Sequence, residues 1–470
     1  MKRVAAGITL CIASVTAQAG GPSKSAAPPM VIQHATVIDA TGASPQRDTS
    51  ILIVDGRIKE IDSVRVPDGA TVVDASGKFV IPGLMDMHVH AIWAHSIEQF
   101  FPLFIANGVT TVRDMFGDLR LAERLEKEID AGTRLGPRFI SPGPIVDGPQ
   151  PVWQGSIAVT TPEDGREAVR RVKRLGGDFV KVYARLPRDA YFAIAEEAKK
   201  QKIPFAGHVP RLVTAGEASD SGQRTIEHLS GIHIAVSRDE DALRAELRNA
   251  TPTNPPRPVE PRAAATPDPA KADALFARFA RNGTWQVPTL TVLRSGAFRA
   301  DPDFVNDPRR KYMTPRTRTQ WAGPPAAGTP DPAALERGRT LFDRYLAIVG
   351  AMHRARVRIL AGSDTPNPYV FPGFSLHDEL GLLVRSGLNP LEALQAATRN
   401  AAEFLGTLDE VGTVERGKRA DLVILDGNPL EDIANTKRIH AVIVNGRVVS
   451  KQQIDAMLSD IEKANRVQGF

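Results

Sequence analysis

Residues able to do chemistry gather at the ends of short apolar runs. The run Ile81-Pro82-Gly83-Leu84-Met85-Asp86-Met87 closes on His88-Val89-His90. Alternate residues of a strand face one side, so both imidazoles can point the same way and make half of a metal site. Lys181 stands inside Asp178-Phe179-Val180-Lys181-Val182-Tyr183. A cation buried there without a partner is costly, so either the strand is exposed at that point or the lysine is functional. His208 ends Pro204-Phe205-Ala206-Gly207, His228 ends Thr225-Ile226-Glu227, and Asp364 follows Ile359-Leu360-Ala361-Gly362-Ser363. Taken singly, each has an ordinary reading as a hydrogen-bonded histidine or a helix-capping aspartate. Four histidines, a lysine and an aspartate at the ends of separate strands form a pattern that those readings do not produce. The sole cysteine is Cys11, so a metal would be held by nitrogen and oxygen, the donor set of zinc or a similar divalent ion. No Gly-x-Ser-x-Gly elbow occurs, which leaves a serine nucleophile little support.

These residues need a frame that brings strand ends together. Val109 to Val112, Phe179 to Tyr183, Pro204 to Ala206, Thr225 to Ile226, Thr284 to Val292 and Arg358 to Leu360 read as strands, with helices such as Ala190 to Lys200 and Leu391 to Leu405 between them. The last helix has Asn389 as N-cap, Pro390 at its first position, Glu392 at its third and Gly406 past its end. Such alternation over ~300 residues predicts an α/β fold, a (β/α)8 TIM-type barrel, whose strand ends meet on one catalytic face. A doubly wound sheet is the runner-up. Short strands at both chain ends (Val31 to Asp39, Ile51 to Val54 and Arg57 to Ile61 around Asp55-Gly56; Ala420 to Leu425, His440 to Val444 and Arg447 to Val449 around Asn445-Gly446) predict a small β-sandwich domain closed by the two termini. The expected divisions are 30–80 and 408–455 for that domain, 81–407 for the barrel and 456–470 for a tail. Pro-rich stretches at 250–270 and 301–332 interrupt the rhythm and read as surface excursions, either decoration or a lid over the barrel mouth.

Length and composition suit this plan. The chain has 470 residues, 42% hydrophobic and 24% charged, room for one large barrel and a smaller domain. Lys2 and Arg3, the apolar stretch Val4 to Val15 and Ala17-Gln18-Ala19 read as a signal peptide over 1–19, followed by a flexible leader over 20–29. The expected location is exported, periplasmic or extracellular. The apolar stretch is too short to span a bilayer, so no stable membrane anchor is expected. The net charge of +5 is scattered, which argues against nucleic acid as a partner.

The whole set of motifs resembles the amidohydrolase superfamily, in particular its imidazolonepropionase-like and prolidase-like secreted members. The resemblance runs from the N-terminal strands through residues 82–90 to Gly417-Lys418-Arg419-Ala420-Asp421-Leu422-Val423. It includes Gly108-Val109-Thr110-Thr111-Val112-Arg113-Asp114, Gly207-His208, Glu227-His228 and Gly362-Ser363-Asp364. It implies that His88, His90 and Asp364 bind one divalent metal ion, His208 and His228 a second, with zinc the expected metal. Lys181, carboxylated by carbon dioxide, would bridge both as a carbamate. Hydroxide held by the two cations would attack the scissile carbonyl, and Asp364 would carry the proton to the leaving nitrogen. Tyr183, two residues beyond Lys181, would donate to the oxyanion or a substrate carboxylate, or simply pack the barrel. Members with this lysine often continue into a Gly-rich stretch, where this chain has Tyr183-Ala184-Arg185.

The expected reaction is hydrolysis of a C–N bond in a small-molecule amide or peptide, such as a dipeptide or N-acyl amino acid. The same binuclear site would also suit a lactone, carbamate or phosphoester. A single-metal deaminase or cyclic amidase, and a non-catalytic binding protein, are further alternatives. A homo-oligomer is compatible with the sequence. His95 reads as a surface loop residue, and His233 and His353 as structural.

Overall fold

The computed structural model describes residues 28–92, 97–250, 258–299, 301–322 and 331–467. The expected signal peptide, nearly all of the leader and His95 lie outside the described residues.

Both ends of the chain meet in one sheet. Met30–Val37, Gln46–Val54, Arg57–Asp62, Thr71–Asp74 and Phe79–Pro82 join Leu422–Leu425, Ile439–Val444 and Arg447–Ser450 in eight hydrogen-bonded strands. The two halves are sewn together where Phe79–Pro82 pairs antiparallel with Leu422–Leu425. Two hairpins turn as their sequences require. Asp55, Gly56, Asn445 and Gly446 all take positive φ, the conformation of a two-residue turn that matches strand twist. Alternation along the strands divides the side chains between two cores. Ile32, Ile51, Ile53, Leu422, Ile424 and Ile443 pack with one another, whereas Val423, Leu425, Val442 and Val444 point the other way into the large core shared with the barrel.

The barrel is built from Leu84–Val89, Val109–Asp114, Arg138–Ile140, Val180–Val182, Phe205–Gly207, Thr225–Glu227 and Trp285–Val287, all pairing in parallel, with helices between. Arg358 to Leu360, expected as a strand, pairs only through the parallel bridge of Ile359 with Gln286. Even so, this segment carries the ring back to its start. Leu360 N donates to Gln286 O, Met87 N to Ala361 O and Asp364 N to His88 O. On the opposite side Asp178 N donates to Ser141 O, linking the third and fourth strands. The strands thus form a three-stranded and a six-stranded parallel sheet, joined by hydrogen bonds such as these, the arrangement of a (β/α) barrel.

Several local expectations are corrected. The strand expected over Thr284 to Val292 stops at Val287. Pro288 has no N–H for a ladder, Thr289 takes φ 47°, and Leu290–Phe298 is a helix. The helix expected over Leu391 to Leu405 is two, Pro390–Ala396 and Arg399–Leu405, although the Asn389 capping box and the Gly406 terminus are as expected. The break has a cause: the carbonyls of Ala396 and Ala397 accept from Ala361 N and Met85 N of the barrel, and so leave the helix ladder. The described parts of the two Pro-rich excursions are helical, at Val259–Ala265, Pro302–Val305, Pro308–Tyr312 and Pro315–Ala322. The expected C-terminal tail is mostly helix, Lys451–Val467. Among the described residues no helix is long and apolar enough to cross a membrane.

Candidate active site

The expected site residues lie at or just beyond the ends of the barrel strands and line a single cavity of about 1250 Å³. His88 and His90 come from the first strand, Lys181 and Tyr183 from the fourth, His208 from the fifth, His228 from the sixth and Asp364 from the last segment. Two glycines make this convergence possible. A Cβ on Gly207 would lie 2.2 Å from Val182 O and 3.1 Å from the Lys181 stem. A Cβ on Gly362 would lie 2.9 Å from His88 Cβ and 2.6 Å from Val287. The glycines of Gly-His and Gly-Ser-Asp thus give the neighbouring Lys181 and His88 side chains their space. His228 and Asp364 themselves take φ 58° and 62°. This left-handed backbone costs about 1–3 kcal/mol per residue and is concentrated at functional sites.

The donors face one another closely. Asp364 Oδ1 lies 3.1 Å from His90 Nε2 and 3.3 Å from His88 Nε2, and Asp364 Oδ2 lies 3.6 Å from His228 Nδ1. Imidazole centroids are 4.6 Å apart for His88 and His228 and 4.8 Å for His208 and His228. His88, His228 and Asp364 can offer ligand atoms all within 4.8 Å of one another, a triad that cuts across the expected division between two metals. Lys181, only 1% exposed, ends in a buried Nζ without a hydrogen-bond partner. His88 Nε2 is likewise buried and unbonded. Orphaned buried donors and acceptors are rare, and a cluster of nitrogens and a carboxylate fits a divalent cation.

Electrostatics prepare these groups as ligands. Burial, then the charges of Lys181 and neighbouring histidines, hold His88 well below its ordinary pKa. Burial and His228 do the same for His208, and burial lowers His228. All three are therefore neutral imidazoles with a lone pair to give. Burial brings the Lys181 amine down to about 8. Burial pushes Asp364 up, but His228, His90 and Lys181 more than offset it, so the carboxylate stays ionised.

A surrounding shell, which the sequence pattern alone does not mark, orients them. His88 Nδ1 donates to Glu227 Oε2 at 2.7 Å, which leaves Nε2 to face the cavity. Glu227 is held in turn by the buried Arg113 guanidinium at 2.8 Å. Thr289 Oγ1 donates to Pro288 O, so its contact with His228 Nδ1 at 2.6 Å is one it accepts, again leaving Nε2 for the cavity. Asp86 accepts from Ser363 N and Oγ, tying the Asp364 segment to the His88 strand; burial raises this carboxyl to about 7. Asp114 accepts from Ala91 N and Ile92 N and fixes the turn after His90. Arg113 does carry the same sequence signal as Lys181, a cation at the end of a β-branched run. Tyr183 stacks on His208 at 4.0 Å between centroids, and its Oη accepts from Trp153 Nε1 at 2.9 Å. His233 is buried against Tyr345, and His353 lies 3.3 Å from Glu392, both away from the cavity.

Comparison with known proteins agrees with this arrangement. The amidohydrolase family model matches residues 79–246 and 341–449. An imidazolonepropionase from Mesorhizobium japonicum is 26% identical over 403 residues, 82% of this chain and 86% of that protein. A dihydroorotase from Thermoanaerobacter matches only locally, at 50% identity over 62 residues, 13% of this chain and 14% of its own length. Among solved structures, bottromycin amidohydrolase superposes with a TM-score of 0.72 at 26% identity, covering 93% of this chain and 90% of its own. A structure from Bifidobacterium longum described as a prolidase gives 0.66 at 26% identity, covering 92% and 99%. The family match spans more than half of the sequence and includes every one of the clustered site residues, and the chain belongs to the amidohydrolase family, metal-dependent hydrolases of carbon–nitrogen bonds.

Proposed function

We propose that this enzyme hydrolyses the C–N bond of a dipeptide or N-acyl amino acid with a pair of divalent cations, zinc in this reading. His88, His90, Lys181, His208, His228 and Asp364 would hold them, Lys181 as a carbamate. The observation that carries the reading is the Lys181 amine, buried, unbonded and facing four histidines and an aspartate. A bare ammonium there would repel cations. A neutral amine can attack carbon dioxide, form a C–N bond and shed a proton, and so turn a repelling group into an anionic bridge. Burial favours the neutral amine, with the lysine at about 8. The 26% identical amidohydrolase and prolidase structures support an amide or peptide as substrate.

When bound, the cations lower the pKa of water and polarise the scissile carbonyl. The remaining work falls to the chain. Asp364, kept ionised by its histidine neighbours, accepts the proton of the attacking water and returns it to the leaving nitrogen, a poor leaving group unless protonated. Glu227 and Thr289 hold two imidazoles in the tautomer that presents Nε2. Tyr183 accepts from Trp153, which leaves its own proton for a carbonyl or carboxylate oxygen of the substrate. Residues 1–19 would direct the chain out of the cytoplasm.

A screen tests this reading directly. The purified protein, supplied with zinc and bicarbonate, is offered dipeptides and N-acyl amino acids and assayed for free amino acid, with Lys181→Ala alongside. Release by the wild type and near-total loss in the variant is the expected outcome. Undiminished release by Lys181→Ala would refute the bridging carbamate.

A further inference from the structure

The family match leaves residues 247–340 uncovered, yet part of that stretch walls the cavity. Thr314, Pro315, Arg316, Thr317, Gln320 and Trp321 all line it. The wall is firmly seated. Met313 is fully buried, Tyr312 stacks on Phe374 at 5.2 Å, and the buried Trp321 donates from Nε1 to Pro366 O, two residues from Asp364. Arginines around it are committed elsewhere. Arg309 pairs with Asp307 and Asp378, Arg310 donates to Val305 O, Arg299 to Trp321 O and Arg318 to Asn465 O. Arg316 differs. It sits in the first turn of the helix Pro315–Ala322, exposed, and its side chain has no ion pair or hydrogen bond among the described residues. Among those residues it is also the one guanidinium lining the cavity.

We propose that Arg316 is the specificity-determining residue that receives a free carboxylate of the substrate. This inference rests on the amide-hydrolase reading and narrows it: the substrate carries an unblocked carboxyl terminus, and a terminally amidated or esterified analogue is selected against. A guanidinium offers two parallel N–H groups to a carboxylate, a match that a single ammonium does not reproduce. The packed seat of the helix leaves that fork at the cavity wall without a competing side-chain partner among the described residues, while the apolar sides of Phe100, Phe116 and Trp153 suit the uncharged part of the substrate.

The test separates recognition from turnover. Zinc-loaded full-length protein is titrated calorimetrically with N-benzylglycine and with N-benzylethanolamine, which replaces the carboxylate by a hydroxymethyl group. Neither contains a scissile amide. Wild type should prefer the carboxylate by about tenfold, the value of one charge-assisted contact. Arg316→Gln should lose that preference, and Arg316→Lys should keep part of it. The side chain is exposed, so an unchanged melting temperature is expected in both variants. Equal preference in wild type and Arg316→Gln, no preference in wild type, or a uniform weakening of both ligands would each overturn the proposal. Hydrolysis of N-benzoylglycine, followed in parallel, reports on the amide reading itself. Its absence alongside an Arg316-dependent preference would strike that reading and leave carboxylate recognition standing.

Discussion

The floor and the wall of the cavity are made differently. The floor consists of strand ends, with His88 and Glu227 fully buried and Lys181 nearly so; Glu227 grips His88, Thr289 grips His228, and Asp86 ties down Ser363 beside Asp364. The wall over residues 314–321 is a helix and its approach, exposed at Arg316 and Gln320 and fixed mainly by Trp321 and Met313. The family match covers every clustered residue of the floor and none of this wall. A buried ligand set has little freedom, because any change leaves an unpaired polar group or a misplaced donor. An exposed helix rim can change residue by residue at low cost in stability. Chemistry should therefore depend on the floor and selection on the wall.

Substitutions sort by that division. Lys181→Ala would remove the proposed bridge and should lower kcat/KM by at least about 10³-fold with loss of metal, the scale of a removed transition-state contact combined with a lost cation. Retained activity would break the distinction at its strongest point.

The next effect is on stability in the metal-free protein. Burial holds Lys181 at about 8 against 10.5 for an ordinary lysine. Below about pH 8 both folded and unfolded states carry the charge, and the folded state bears the full cost of burying it. As pH rises from 8 towards 10.5 only the unfolded state keeps the proton, so stability rises. Denaturant unfolding of wild type should therefore gain roughly 3 kcal/mol on Lys181→Met across that window. A flat difference would mean that the amine is not buried uncompensated.

Glu227→Gln removes the carboxylate that orients His88 and pairs with Arg113. Zinc affinity or activity should fall about 10–100-fold, read from zinc content and kcat/KM. Thr289→Val frees His228 Nδ1 and should cost about 10-fold by the same measurements. Gln320→Ala on the wall should leave zinc content unchanged and move KM by a few-fold at most, with Tm within about 1 °C. A loss of metal from that wall substitution would erase the contrast.

The floor was legible in the sequence because its ligands violate the local texture. Lys181 interrupts a β-branched run, and His88, His208 and His228 each end an apolar one, so their chemistry shows without knowledge of distant contacts. The surrounding shell was not legible in the same way. Glu227 and Asp86 act through partners more than a hundred residues away, Arg113 and Ser363 among them, and Thr289 acts through a backbone turn that only the folded chain creates. The helix break after Ala396 depends on barrel amides that take its carbonyls, a tertiary competition that capping signals at Asn389 and Gly406 do not reveal. The wall was hidden for a further reason: proline and arginine density resembles loop composition, whereas Pro308 and Pro315 sit at the starts of helical turns, where the ring is well tolerated.

The most direct test is the metal content of the wild-type chain and of Lys181→Ala after loading with zinc and bicarbonate and removal of the unbound ion. Two zinc ions per wild-type chain and one or none in the variant is the predicted result. One zinc ion in both proteins would contradict a site bridged through Lys181.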